Sequence, residues 1–310
     1  MYHIMNPKKN ITRRDAFKLM GTIVATTAIA ATGISAVTAF AKDAEPSTDE
    51  KKSRKRLVFF FSATGNSLYV ARAFSKEPIS IPQALKEGKL DYEADEIGIV
   101  FPDYAASAPL IVREFIEKAQ LRAPYIFSVI TFGNFAANVA DWWNDYCLSK
   151  GVTNQYINTL LMVDNYLPVF DMNEQVKIDK KIPENLEKIV NDVDSQNKFI
   201  SHFEADDQMK GWLKRLQDGH FPIEAERLLK LDAEACIACG TCASVCPHGN
   251  FKMSDVTEFY GSCEYCLACV HACPQKALTL ASGERNPQAR YRNENVSLMD
   301  IKRANNQQKR

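Results

Sequence analysis

Eight of the nine cysteines fall between Cys236 and Cys273. They read Cys236-x2-Cys239-x2-Cys242-x3-Cys246-Pro247, then Cys263-x2-Cys266-x2-Cys269-x3-Cys273-Pro274. Each cysteine of the first run recurs 27 positions later, so the unit is duplicated. Three thiolates on one tight loop can reach three irons of a cubane [4Fe–4S] cluster, and a fourth thiolate must come from elsewhere. Zinc sites favour separated Cys-x2-Cys pairs, not a triplet followed by Cys-Pro. Cysteines two residues apart make poor structural disulfides.

The doubled run resembles the bacterial two-cluster ferredoxins, in which the fourth thiolate is exchanged between the runs. That resemblance implies two [4Fe–4S] clusters. One would take Cys236, Cys239, Cys242 and Cys273. The other would take Cys263, Cys266, Cys269 and Cys246.

The 310 residues allow two modest domains. Formal net charge is zero, so no nucleic-acid footprint is expected. Residues 231–281 carry five acids and two bases, and residues 284–310 carry seven bases and three acids. An acidic cluster segment with a basic tail suits steering of a charged redox partner, although ordinary solubility explains charges this small.

The first 41 residues read as an address. Thr12-Arg13-Arg14-Asp15-Ala16-Phe17-Lys18 precedes a weakly apolar run from Leu19 to Phe40, closed by Ala39-Phe40-Ala41. Charged start, apolar middle and small-x-small end predict a cleavable export signal, cut after Ala41. Adjacent arginines followed by Phe17 resemble the twin-arginine class, which exports folded, cofactor-loaded proteins. Threonines and glycines dilute the run, so membrane association is expected only if the signal stays uncleaved or a partner supplies it. Residues 42–55 are polar and read as a disordered spacer.

Residues 56–200 alternate strands and helices. Leu57-Val58-Phe59-Phe60-Phe61 suits a strand buried on both faces. Ser62-Ala63-Thr64-Gly65-Asn66-Ser67 follows, and Leu68 to Phe74 has helical spacing. Hydroxyls and backbone N–H groups at a helix start can cradle a phosphate. Further strands are expected at 79–81, 96–101, 125–131 and 157–163, with helices at 109–120, 134–150 and 183–200. Strands alternating with helices imply a parallel sheet with ligands at the carboxyl ends of its strands.

Ser62, Thr64, Gly65, Asn66 and Ser67 after a first strand resemble the FMN-phosphate loop of flavodoxins. Pro102, Asp103 and Tyr104 resemble their first flavin-ring loop, and Thr131, Phe132, Gly133 and Asn134 their second. Fusion to a two-cluster ferredoxin is similar to a family of flavodoxin/ferredoxin fusions, in which Asn165-Tyr166 and Arg290-Tyr291-Arg292 also look familiar. The resemblance implies an α/β fold: a flavodoxin-like doubly wound parallel sheet of five strands, order 2-1-3-4-5, plus a small α+β two-cluster ferredoxin domain. It also implies FMN as a cofactor. Only Tyr104 is well placed to stack on a flavin. Phe132 and Phe135 suit core packing as well as the other ring face, and Trp142 and Trp143 suit packing.

Residues 201–230 read as a helical connector, 231–281 as the cluster domain, and 282–310 as a basic tail, mobile apart from docking near Tyr291. Cys147 reads as a small buried hydrophobe. His248 and His271, beside cluster cysteines, read as solvated. The expected function is exported electron transfer between FMN, two clusters, and a redox partner protein or small-molecule acceptor. A flavin-dependent reductase, or a redox-sensing ferredoxin with an empty flavodoxin-like domain, are the alternatives. No nucleophile or His/Asp pair marks a catalytic residue.

Overall fold

A computed structural model describes residues 54–253 and 257–308. The export signal, its cleavage point and most of the 42–55 spacer lie outside the described residues. At the spacer's end, Arg54 pairs with buried Glu96 at 2.6 Å and the Lys55 N–H donates to Asp95, so the chain is already anchored there.

The central sheet holds six parallel strands. They are β1 (Arg56–Phe60), β2 (Ile79–Ser80), β3 (Glu96–Pro102), β4 (Tyr125–Phe132), β5 (Tyr156–Leu161) and β6 (Phe199–Ile200). Their order is β2-β1-β3-β4-β5-β6. Strands β3 and β4 are buried along nearly their whole length, as a sheet covered on both faces requires. Register places Phe59 beside Ile99, Ile99 beside Ser128, and Ser128 beside Ile157.

The covering helices are α1 (Asn66–Phe74), α2 (Ile81–Glu87), α3 (Leu110–Lys118), α4 (Val139–Ser149) and α5 (Ile182–Asp194). α1 packs on β3 and β4 and against α5, and α2 packs against α3. Trp143 is fully buried beside Phe101, with its indole N–H on Ser128, which confirms it as packing. Cys147 is fully buried on the same helix.

The sixth strand corrects the five-strand expectation and the helix drawn through residue 200. Helix α5 stops at Asp194, and Gln196 takes a left-handed turn at φ 53. The Asn197 N–H returns to the Asp192 carbonyl, and Phe199 and Ile200 then pair with Tyr156 and Ile157. A short aromatic–β-branched pair beside an open edge gains more as strand than as extra helix.

The connector forms one helix, α6 (Asp207–Asp218), capped by the Asp206 side chain, and a four-residue turn at Ala225–Leu228. Among the described residues the cluster half has three short antiparallel pairs, Leu229–Leu231 with Leu278–Leu280, Phe251–Met253 with Thr257–Phe259, and Ser262–Cys263 with Ile223–Glu224. Between them α7 (Thr241–Val245) and α8 (Ala268–Ala272) pack together, each following a cysteine triplet's middle member.

The tail is folded, contrary to the mobile run expected. Tyr291, Asn293, Val296, Ile301, Ala304 and Asn305 are all buried. Its helix α9 (Leu298–Asn305) begins with a capping box between Ser297 and Asp300 and packs on both α7 and α2. Among the described residues no helix is long and apolar enough to cross a membrane.

Candidate functional site

The duplicated triplets each form a loop that turns into a short helix. Gly240 (φ 70) precedes α7 and Leu267 (φ 63) precedes α8, so a left-handed residue sits at the same place in both repeats. Cys246, Cys263, Cys266 and Cys269 line one cavity. Cys236, Cys239, Cys242 and Cys273 line a second. These are the two crossed quartets implied by the two-cluster ferredoxin resemblance. All nine cysteines are free of disulfides.

The donor chemistry fits cubane clusters. Both cavities are almost wholly apolar apart from their sulfurs, so iron charge is what would keep four thiolates ionised there. Burial pushes Cys263 up to about 12 and lifts Cys266 and Cys269 well above the usual thiol range. In the other quartet the Thr257 hydroxyl lowers Cys236 and the Thr241 hydroxyl lowers Cys239.

The quartets differ in surroundings. Cys239 is exposed, and neighbouring Ile237 is 60% exposed. The quartet of Cys246, Cys263, Cys266 and Cys269 lies against the α/β half. There Glu264, between Cys263 and Cys266, has a fully buried side chain. Its Oε2 accepts the backbone N–H of Leu110 at 2.7 Å and of Ile111 at 3.4 Å, the first turn of α3. His248 Nε2 stands 3.0 Å from Oε1. Burial opposes the carboxylate, but His248 and those N–H groups outweigh it and hold Glu264 below its ordinary range. Neither His248 nor His271 is freely solvated. His271 is buried, its Nε2–H donates to the Asn165 carbonyl at 2.9 Å, and Nδ1 accepts the Tyr291 N–H at 3.1 Å. Those partners fix a neutral imidazole, and burial lowers it to about 4.

The first ring loop faces this quartet. Tyr104 sits edge-on to Phe61 and to His220. Burial, with Cys266 and Glu264 nearby, lifts its phenol well above the usual range. Asp103 is pushed up to about 8 by burial, against the N–H groups of Ser107 and Ala106 that it accepts. Ser107 Oγ accepts from Arg113 at 2.7 Å and meets His220 Nδ1 at 3.1 Å.

Several side chains of the three expected flavin loops have partners within the chain. Gln217 of α6 donates to the Ala106 carbonyl at 2.8 Å and to Asn138 Oδ1 at 3.0 Å, bridging the loops after β3 and β4. A Cβ at Gly133 would lie 2.4 Å from Asp164, so the second ring loop is packed on the chain after β5. Phe135 is 43% exposed and meets Phe203, while Phe132 is partly buried at the end of β4. At the phosphate loop, Ser62 Oγ accepts the Gly65 N–H at 3.0 Å, Thr64 Oγ1 accepts from Asn165 at 2.6 Å, and Ser67 Oγ meets Thr131 Oγ1 at 2.9 Å. Asn66 bonds to Val163, Tyr291 and Asn293. Pro102 ends β3 paired with Thr131 of β4, and Asn134 lies in the loop after β4. Gln217 thus ties the two ring loops together, and the tail meets the Ser62–Ser67 loop at the Ser62 and Thr64 carbonyls and at Asn66 Oδ1, not at its backbone N–H groups.

Gln217, His220, Glu264 and Asn293 tie these loops to the rest of the chain, and sequence reasoning passed over them. Only Glu264 carried a signal, as the one acid within a cysteine triplet.

Comparison with known proteins matches residues 229–252 to the 4Fe-4S binding domain family. An uncharacterized ferredoxin of Methanocaldococcus jannaschii is 43% identical over 61 residues, which is 17% of this chain and 39% of that protein. Pyruvate synthase subunit PorD of the same organism is 34% identical over 58 residues, 18% of this chain and 67% of PorD. A ferredoxin of Pyrobaculum islandicum is 32% identical over 63 residues, 19% of this chain and 58% of that protein. The chain thus spans well under two thirds of the first of these relatives. A Bacteroides eggerthii crystal structure bearing the name of a flavoprotein aligns over 45% of this chain and 99% of its own, at 16% identity and a TM-score of 0.28. By the cysteine quartets and the sequence matches, the C-terminal part of this chain is a 4Fe-4S domain of the ferredoxin family.

Proposed function

We propose that this protein is an exported electron carrier with two [4Fe–4S] clusters, passing electrons to a redox partner protein or a small acceptor. The observation that carries the reading is the sorting of eight cysteines into two cavities of four. Bound cubane clusters would supply one-electron steps. The chain's own residues set the route. The quartet at Cys239 and Ile237 opens to solvent and is the port for the partner. The quartet at Glu264 is enclosed against the α/β half and is the inner store. Glu264 and His271 hold that inner cage in place, through α3 and through Asn165. A twin-arginine signal would explain why a carrier whose cages need iron and sulfide before folding is complete can work outside the cytosol.

The test is anaerobic purification of the mature chain with iron and acid-labile sulfide counted. About eight of each, with two reduction steps on titration, is the expected result. One or two zinc ions and no sulfide would sink the reading.

A further inference from the structure

We infer that Lys302, carried to the outer quartet by the C-terminal helix, makes that quartet the higher-potential one of the two, so that electrons gather at the port and not in the inner store. This deepens the carrier reading and rests on it.

The duplication lets the two quartets be compared position by position. With equivalents 27 residues apart, Thr241 answers to Ala268 and Ile237 to Glu264. The first repeat has a hydroxyl where the second has a methyl. The second has a carboxylate where the first has an exposed apolar side chain. Thr241 opens α7 and is buried, with its Oγ1 3.4 Å from Cys239 Sγ. Lys302 Nζ donates to the same oxygen at 3.3 Å. An ammonium only donates and a thiolate only accepts, so the Thr241 proton is left for the sulfur. The chain from Lys302 through Thr241 to Cys239 thus begins on a positive charge. The Thr257 hydroxyl, 3.5 Å from Cys236 Sγ, gives the same quartet a second hydroxyl.

Lys302 is held in place from the α/β half. Asp300, its acid neighbour on α9, pairs with Arg72 of α1 at 3.1 Å and does not neutralise it. Beyond the lysine, Ser80 Oγ and Gln83 Nε2 donate to the Ala304 carbonyl at 2.5 and 3.1 Å, and Asn305 Nδ2 donates to the Ser62 carbonyl at 3.0 Å. Helix α9 is therefore fixed on both sides of Lys302 while it packs on α7. At the inner quartet the near charge is the Glu264 carboxylate, faced by His248 at 3.0 Å.

An added electron makes a cage more negative. A fixed cation, hydroxyl donors at the sulfurs and the exposure of Cys239 all favour that electron, and a carboxylate opposes it. These differences share one sign. What the inner irons lose the outer irons gain, one electron at a time, with no proton or ligand exchanged.

The test uses the full chain, purified without air and holding about eight irons. Titration with dithionite and dye mediators, followed by electron paramagnetic resonance, reads the two steps. Wild type should show two resolved steps, and Cys239→Ser should remove the upper one. Lys302→Met should weaken the upper step about tenfold in its reduction equilibrium, about 59 mV for one electron, and leave the lower step in place. Lys302→Arg keeps the cation and should stay near wild type. Thr241→Val should move the same step in the same direction without touching α9. Coincident steps in wild type, a shift confined to the lower step, or a Lys302→Arg shift as large as that of Lys302→Met would overturn the proposal. Zinc in place of iron would remove the carrier reading with it, whereas eight irons and an unmoved upper step would remove this proposal alone.

Discussion

The Glu264 carboxylate, set between two thiolates of the inner quartet, accepts the Leu110 N–H at 2.7 Å, so the cluster half caps a helix of the α/β half. An anion at a helix N-terminus is favourable, and the fully buried side chain cannot exchange that partner for water. The two halves are therefore joined through a charge, beside the cage that the charge helps to place.

Replacing that charge gives a first prediction. Glu264→Ala leaves the Leu110 N–H and His248 buried without their partner. Stability of the anaerobic protein should fall by about 3–5 kcal/mol. Glu264→Gln, which keeps an acceptor, should lose less. Denaturant unfolding followed by cluster absorbance measures both; equal loss in the two variants would count against the carboxylate's role.

Iron should leave in two phases. The outer quartet has an exposed ligand in Cys239, whereas Cys269 is 8% exposed in the inner one. On incubation with a chelator under mild oxidation, the iron count should fall from about eight to about four and pause there. Cys239→Ser should remove the fast phase and spare the slow one.

His220 gives a pH dependence with a defined sign. Burial, then Arg113, lowers its folded-state value from 6.5 to about 4. The unfolded chain thus binds a proton below about 6.5 that the folded one refuses until about 4. Its contribution is present above pH 6.5 and is lost as pH falls toward 4, by roughly 3 kcal/mol in all. Asp103 works the other way, since its folded value is raised from 3.8 to about 8 and stability is lost as pH rises between those values. Comparing wild type with His220→Asn, which keeps an amide near Ser107, isolates the histidine. The two stability curves should diverge below pH 6.5, and parallel curves would contradict the assignment.

Cys147 should be chemically silent. Burial pushes its thiol to about 12, and its side chain is fully enclosed. Iodoacetamide at neutral pH should leave Cys147 unlabelled in the folded protein and label it after denaturation, as peptide mass spectrometry would show.

The tail's staple can be tested by itself. Arg290 and Glu284 have side chains 9% and 1% exposed, and Arg290 also reaches the Leu278 carbonyl. Arg290→Ala strands Glu284 and should cost about 3–5 kcal/mol, with protease cutting appearing first between 285 and 297.

Much of this molecule is local information. Two identical cysteine spacings carry the cage chemistry, because three thiolates and a left-handed turn fit within eight residues whatever surrounds them. Continuous apolar runs such as Ile97 to Phe101 mark buried strands, because a parallel strand covered on both faces has no polar side to show. The tail's contacts to the Ser62–Ser67 loop are not local. Asn66 finds Tyr291 225 residues away, and Gln217 bridges two loops from a third element. Hydroxyls, amides and a glycine look the same in sequence whether a phosphate or a peptide meets them. That the tail packs beside this loop is decided by long-range contacts, because only the folded chain brings Tyr291 and Asn293 to Asn66.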